Sequence, residues 1–308
     1  MQKKYIFFIS LILLLLLIVG IYLVFLYKNN VNIAYMSDRK YLPYMMVSIN
    51  SAIENKNEKT KYNIYVIAKD FNQEDIEKIK QIEQEKVKIN IITAREKTLD
   101  YSHLGRFSSF KTAMQKIFLP DYLKDIDKVL YLDSDTIVQK DLSKLYNTNM
   151  RNIYIAATKD GLMYQYPEHI KEVGLEWRNF YFNSGIMLLN LKEMRQNNLV
   201  DKSIQYFNNH NEVFADQDIL NVVTKDKVKE ISYRYNVNST FFEEESASFL
   251  SNFFKEKVPQ TSREVYDDAV ILHFAGHKPW TEWFSHSYLK PLWYEYANRT
   301  KEKYKITF

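Results

Sequence analysis

The 308-residue chain contains no cysteine, which excludes disulfides, thiolate metal sites and cysteine nucleophiles together. That absence suits a reducing compartment. Glycine and proline number only 6 each, too few for a collagen-like chain or long flexible linkers, and no repeat of solenoid length is visible. Strong charge of either sign is missing too. The 42 Lys and Arg against 38 Asp and Glu leave a formal net charge of +4, which argues against a nucleic-acid partner while permitting contact with an anionic surface. What is there is apolar and aromatic, 46% and 15% of the chain, enough for the core of one enzyme-sized body.

Residues 6–27 read IFFISLILLLLLIVGIYLVFLY without a charge, with Lys3, Lys4 and Lys28 just outside. About 20 apolar residues are what a helix needs to cross a bilayer, and no small-x-small cleavage pattern follows before Asn32. The expectation is therefore an N-terminal transmembrane helix: a single-pass membrane anchor over residues 1–30, then a catalytic domain over 31–286 and a basic, aromatic segment over 287–308. Lysines on both flanks leave the orientation open.

After this stretch apolar runs alternate with helix-period segments. Strands are expected at 31–36, 62–68, 86–93, 129–132, 153–157, 184–191 and 269–274. Helices are expected at 41–54, 72–85 with Asn72 as N-cap, 107–119, 199–208 and 216–223. Repeated strand-helix-strand order predicts an α/β fold, a Rossmann-like sheet flanked by helices. Residues 241–258 receive no role.

Two features carry chemistry. Lys128-Val-Leu-Tyr-Leu-Asp-Ser-Asp-Thr-Ile-Val138 is a buried-strand pattern that delivers two carboxylates, Asp133 and Asp135, at i and i+2. Carboxylates so placed repel each other unless a cation lies between them, and divalent cations favour such oxygen ligands; a turn or cap is the plainer reading. In Ile271-Leu-His-Phe-Ala-Gly-His-Lys-Pro-Trp280 a strand ends on His273. Gly276 then allows close approach to a ligand, and Lys278 offers a compact cation for phosphate oxygens. A strand, a turn and a Pro-Trp packing unit is the alternative.

Together, in this order, these motifs resemble the family 8 glycosyltransferases over residues 32–283. The resemblance implies a fold of glycosyltransferase-A type. It implies retaining transfer of a hexose, galactose or glucose, from a UDP-sugar to a saccharide or lipid-linked acceptor in cell-surface polysaccharide or lipopolysaccharide synthesis. It implies Mn²⁺, with Mg²⁺ as the substitute, held by Asp133, Asp135 and His273. Matched motifs extend the site: Asp38 and Tyr41 in Ala34-Tyr-Met-Ser-Asp-Arg-Lys-Tyr41 toward uracil, Ser134 and Lys278 toward the donor, Asn183 in Tyr181-Phe-Asn-Ser-Gly toward the donor sugar. The resemblance extends, by a looser match, to Asp160 as a second sugar-binding carboxylate. Phe214-Ala-Asp-Gln-Asp supplies Asp216 for sugar hydroxyls and Gln217 beside the reacting carbon. Gln217 is a poor nucleophile, which favours front-face attack over double displacement.

Lys116 stands where many members carry arginine, keeping the charge and losing the bidentate fork. With a bacterial source, UDP-sugars put the catalytic domain in the cytoplasm, tethered to membrane lipids. Residues 287–308 interleave Trp293, Tyr294, Tyr296 and Tyr304 with Lys290, Arg299, Lys301, Lys303 and Lys305, which reads either as a surface against anionic headgroups or as a final helix packed by its aromatics. Two other function classes remain. Leu-Asp-Ser-Asp-Thr also resembles an aspartate-nucleophile phosphatase signature, and an inactive membrane-tethered sugar-nucleotide binder is the non-enzymatic reading.

Overall fold

The computed structural model describes residues 12–17, 19–20, 29–94, 99, 111–176, 180–210, 215–238, 241–242 and 245–308. Its main sheet has seven strands in the order β3-β2-β1-β4-β7-β6-β8. These are β1 Asn30–Asp38, β2 Lys61–Lys69, β3 Val87–Thr93, β4 Lys128–Leu132, β6 Ile155–Lys159, β7 Phe182–Asn190 and β8 Val228–Glu230. β1 pairs in parallel with β2 and β4, whereas β7 runs antiparallel between β4 and β6. The sheet is mixed, and its parallel half has the Rossmann-like strand-helix-strand order expected.

Burial on both faces explains the near-continuous apolar strands. Along β1, Val31, Ile33 and Tyr35 enter one core while Ala34 and Met36 enter the other. The helix Leu42–Glu54 packs on the first face, and Leu199–Asn209 and Ala215–Thr224 on the second. The helix Gln73–Lys80 starts at the expected cap: Asn72 Oδ1 accepts from Asp75 N at 2.9 Å while Asp75 accepts from Asn72 N at 2.9 Å. In the expected helix over 107–119, residues 107–110 lie outside the described residues. The rest is two short α-turns, Lys111–Met114 and Leu119–Tyr122, joined by the 3₁₀ turn Gln115–Phe118.

The chain does not continue straight through Asp133. It leaves the main sheet at Leu132 and re-enters regular structure as β5 Thr136–Val138 in a second sheet of order β5-β10-β9, with β10 Ile271–His273 and β9 Val237–Asn238. Two of these strands, β5 and β9, have no counterpart in the sequence reading, because 3 and 2 residues are too few to display alternation. Around this sheet lies an aromatic core that takes in Phe241, Phe242, Leu250, Phe254 and Val258. The described residues 241–242 and 245–258 thus pack beside the second sheet.

The helix Leu289–Tyr304 buries Trp293, Tyr296 and Tyr304 and leaves Lys301, Lys303 and Lys305 outside. This is the packed-helix reading of residues 287–308.

One expectation is corrected. Among the described residues no helix is long and apolar enough to cross a membrane, so the transmembrane helix, the single-pass anchor over residues 1–30 and the membrane localisation drawn from it are not supported. Of residues 6–27 only 12–17 and 19–20 are described, as helix. The remainder of the stretch lies outside the described residues.

Candidate active site

The sheet topology assembles the site. β1 and β4 are parallel, so Asp38 and Asp133 emerge at the same carboxyl edge, where ligands of open α/β sheets gather. β7 is antiparallel to β4, so its first residues, Asn183 to Gly185, arrive at that edge as well. Asp133 N donates to Gly185 O at 2.8 Å. The third contribution comes from the second sheet, where His273 pairs with Thr136, one residue beyond Asp135, and Phe274 N donates to Asp135 O at 3.0 Å. The Asp-Ser-Asp segment is therefore the corner between two sheets, and the corner brings a histidine from 138 residues downstream onto its acids.

His273 Nε2 lies 3.4 Å from Asp135 Oδ1 and 3.8 Å from Asp133 Oδ2. One ligand atom from each of Asp133, Asp135 and His273 lies within 4.8 Å of the others. Two carboxylates and an imidazole form a donor set that a divalent transition metal accepts. Space for the ring is built in: a Cβ at Gly185 would stand 2.2 Å from His273 Cε1 and 2.8 Å from Nε2. The residues fit a bound cation.

Lysines neutralise the acids from two sides. Lys116, 5% exposed, places Nζ 3.0 Å from Asp133 Oδ1 and 3.1 Å from Asp216 Oδ2. Burial opposes its charge, but Asp133 and Asp216 outweigh it and hold the ammonium above the ordinary lysine range. Burial pushes the Asp216 carboxyl up, and the charge of Lys116 offsets that only in part. Lys278 Nζ contacts Asp135 Oδ2 and donates to Phe274 O at 2.9 Å. Burial again works against the charged forms, yet the pair lifts Lys278 above and drops Asp135 well below their usual ranges, with His273 adding to the latter. Tyr131, buried on β4, donates its hydroxyl to Asp133 Oδ1 at 2.7 Å.

Beside the acids opens a cavity of about 370 Å³, lined by Asp38, Tyr41, Lys116, Asp133, Asp135 and Lys278, with Ser134 and Thr112 among its other walls. That is the size of a small-ligand pocket. Asp38 does act as an N-cap, accepting from Tyr41 N at 3.0 Å, and it also faces the cavity. Tyr41 meets Trp280 edge-on at 6.3 Å, and Trp280 stacks on Tyr44 at 3.8 Å. Ser134 Oγ donates to Met36 O at 3.4 Å. Gly276, at φ +85°, supplies the left-handed turn that returns Lys278 to Asp135.

The remaining expected residues form a second, hydrogen-bonded group. Asp160 Oδ2 accepts from Asn183 Nδ2 and from Gln217 Nε2, each at 3.0 Å, and Gln217 Oε1 accepts from Ser184 N at 3.0 Å. Three residues of this neighbourhood were not expected. Gly185 could have been singled out, since an isolated glycine within a strand pattern marks close approach. Tyr131 and Asn236 gave no signal, one reading as a strand aromatic and the other as a turn residue.

A mixed Rossmann-like sheet with paired acids at the carboxyl end of its central strand is of glycosyltransferase-A type. The fold matches the crystal structure of galactosyltransferase LgtC in complex with donor and acceptor sugar analogues, at TM-score 0.72 and 22% identity over 87% of this chain and 95% of that one. The glycosyl transferase family 8 model matches residues 32–284, and the chain belongs to that family. A relative in Haemophilus influenzae that carries the name glycosyltransferase is 34% identical over 271 residues, 84% of this chain and 76% of the relative. The lipopolysaccharide 1,2-glucosyltransferase of Escherichia coli is 26% identical over 273 residues, 84% of this chain and 76% of its own length.

Proposed function

We propose that this glycosyltransferase moves a hexosyl group, galactose or glucose, from a UDP-sugar to a saccharide or lipid-linked acceptor, with retention and with Mn²⁺. The observation that carries the reading is the convergence of His273, from a segment far away in sequence, on Asp133 and Asp135, two acids that line a cavity of small-ligand size. An imidazole beside two carboxylates favours Mn²⁺ over Mg²⁺. When bound, the cation supplies Lewis-acid stabilisation of the departing diphosphate.

The chain's own residues do the rest. Asp38 and Tyr41, which line the same cavity, receive the base, and Lys278 meets the charge that develops on the diphosphate as the glycosidic bond breaks. Asp160 and Asn183 hold sugar hydroxyls, while Lys116 holds Asp133 and Asp216 in place through contacts at 3.0 and 3.1 Å. Gln217 has both ends of its amide engaged, by Asp160 and Ser184 N, which supports a positioning role and front-face attack. Acceptors of the kind used in lipopolysaccharide assembly fit the relative named above.

Among the rival classes, the phosphatase signature belongs after the first strand of its domain, whereas Asp133 follows the fourth strand of this one. A panel of UDP-sugars with and without Mn²⁺, scored by UDP release, tests the reading. Release from a UDP-hexose that needs the metal and is lost in Asp133→Asn is expected. No release from any donor, or equal release by the variant, defeats it.

A further inference from the structure

The geometry points to Asn236 as a positioning residue that sets the ring tautomer of His273 and ties the cation-binding group to the sugar-side residues. This deepens the reading above and rests on His273 being a ligand. Asn236 is 5% exposed and sits between the 3₁₀ turn Tyr233–Tyr235 and β9. β9 pairs in parallel with β10, Val237 opposite Leu272 and Asn238 opposite His273, and Asn236, immediately before β9, brings its side chain to 3.0 Å from the imidazole.

The direction of every hydrogen bond follows from one backbone amide. Gly185 N–H can only donate, and its acceptor is Asn183 Oδ1 at 2.9 Å. That fixes the Asn183 amide, whose Nδ2 donates to Asp160 Oδ2 at 3.0 Å. The atom of Asn236 that lies 2.9 Å from Asn183 Oδ1 must then be its Nδ2. Its Oδ1 is left facing His273 Nδ1 at 3.0 Å, and a carbonyl oxygen there requires the proton on Nδ1. The neutral ring therefore keeps its lone pair on Nε2, the atom that faces Asp133 and Asp135. Partners of this kind orient a ligating histidine and raise its basicity. Here the same amide also reaches Asn183, so one side chain joins the two groups of the site.

Two substitutions separate the roles. Asn236→Ala removes both bonds. Asn236→Asp keeps an acceptor for Nδ1–H and loses the donor to Asn183. Mn²⁺ binding is measured on the full chain by electron paramagnetic resonance without donor, with UDP-sugar KM measured alongside. Thermal melts confirm folding, and ¹⁵N-histidine labelling reports the tautomer of His273. Asn236→Ala is expected to weaken Mn²⁺ roughly 10- to 100-fold, the usual effect of losing such a partner. Asn236→Asp is expected to stay within about threefold of wild type for the metal while donor KM rises. Unchanged Mn²⁺ affinity in Asn236→Ala overturns the inference alone, as does a metal loss in Asn236→Asp equal to that in Asn236→Ala. A wild-type chain that binds no Mn²⁺ defeats the metal reading itself, and this inference with it.

Discussion

At the scale of single residues the site depends on what is missing as much as on what is present. Gly185 has no side chain because His273 occupies that volume, a Cβ there standing 2.2 Å from the ring. Gly185→Ala should displace the imidazole, leave the fold intact and weaken Mn²⁺ binding by about tenfold or more; equal affinity in a titration of the folded variant would refute the steric argument. Lys116 is the opposite case, a charge that cannot be removed alone. At 5% exposure it faces two carboxylates at 3.0 and 3.1 Å, and Lys116→Met would strand both. Breaking a buried pair from one side costs about 3–5 kcal/mol, so the variant should unfold at markedly lower urea concentration. Lys116→Arg keeps the charge and should recover most of that loss.

Among elements, the corner at Asp133 is decisive, because it hands the chain from a sheet with two buried faces to one of three short strands. The turn after β5 is secured by Asp141, whose carboxylate accepts from Asn57 N at 2.8 Å and from Ser143 N at 2.9 Å. Burial opposes its charge, but these bonds and the Ser143 hydroxyl hold its carboxyl below the usual range. A carboxyl lowered on folding stabilises fully above its unfolded value of about 4 and loses that contribution as pH falls through the folded one. Wild-type stability should therefore decline steeply on acidification below about pH 4, and Asp141→Asn should flatten that decline. Urea midpoints at several pH values check this, and parallel curves would contradict it. The parallel strands and the Asn72 cap were readable beforehand, since continuous apolar runs and a capping box are local signals. β5 and β9 were not, because pairing partners alone make strands of such short segments.

For the whole molecule, the last helix is part of the core. Trp293 is 1% exposed, and Asn50 on the helix Leu42–Glu54 donates its Nδ2 to Thr300 Oγ1 at 3.1 Å and accepts at Oδ1 from the Tyr304 hydroxyl at 3.3 Å. A buried large apolar side chain contributes about 1.5–3 kcal/mol, and whole domains are stable by only about 5–15 kcal/mol. Deleting residues 289–308 should therefore abolish cooperative melting followed by circular dichroism; a truncated chain melting as wild type does would show that the helix is dispensable. Composition, apolar periodicity and the order of acid, histidine and lysine motifs determined by themselves the α/β class, the family resemblance and a set of candidate residues, because those properties are local or survive as linear pattern. The tertiary structure alone decided which residues meet. Strand direction puts Gly185 against Asp133, sheet switching puts His273 on the acids, and the turn that leads into β9 puts Asn236 behind the ring. Gly185 and His273 left traces in the sequence, an isolated strand glycine and a matched motif, whereas Asn236 left none, since its contact joins segments that only the folded chain brings within reach.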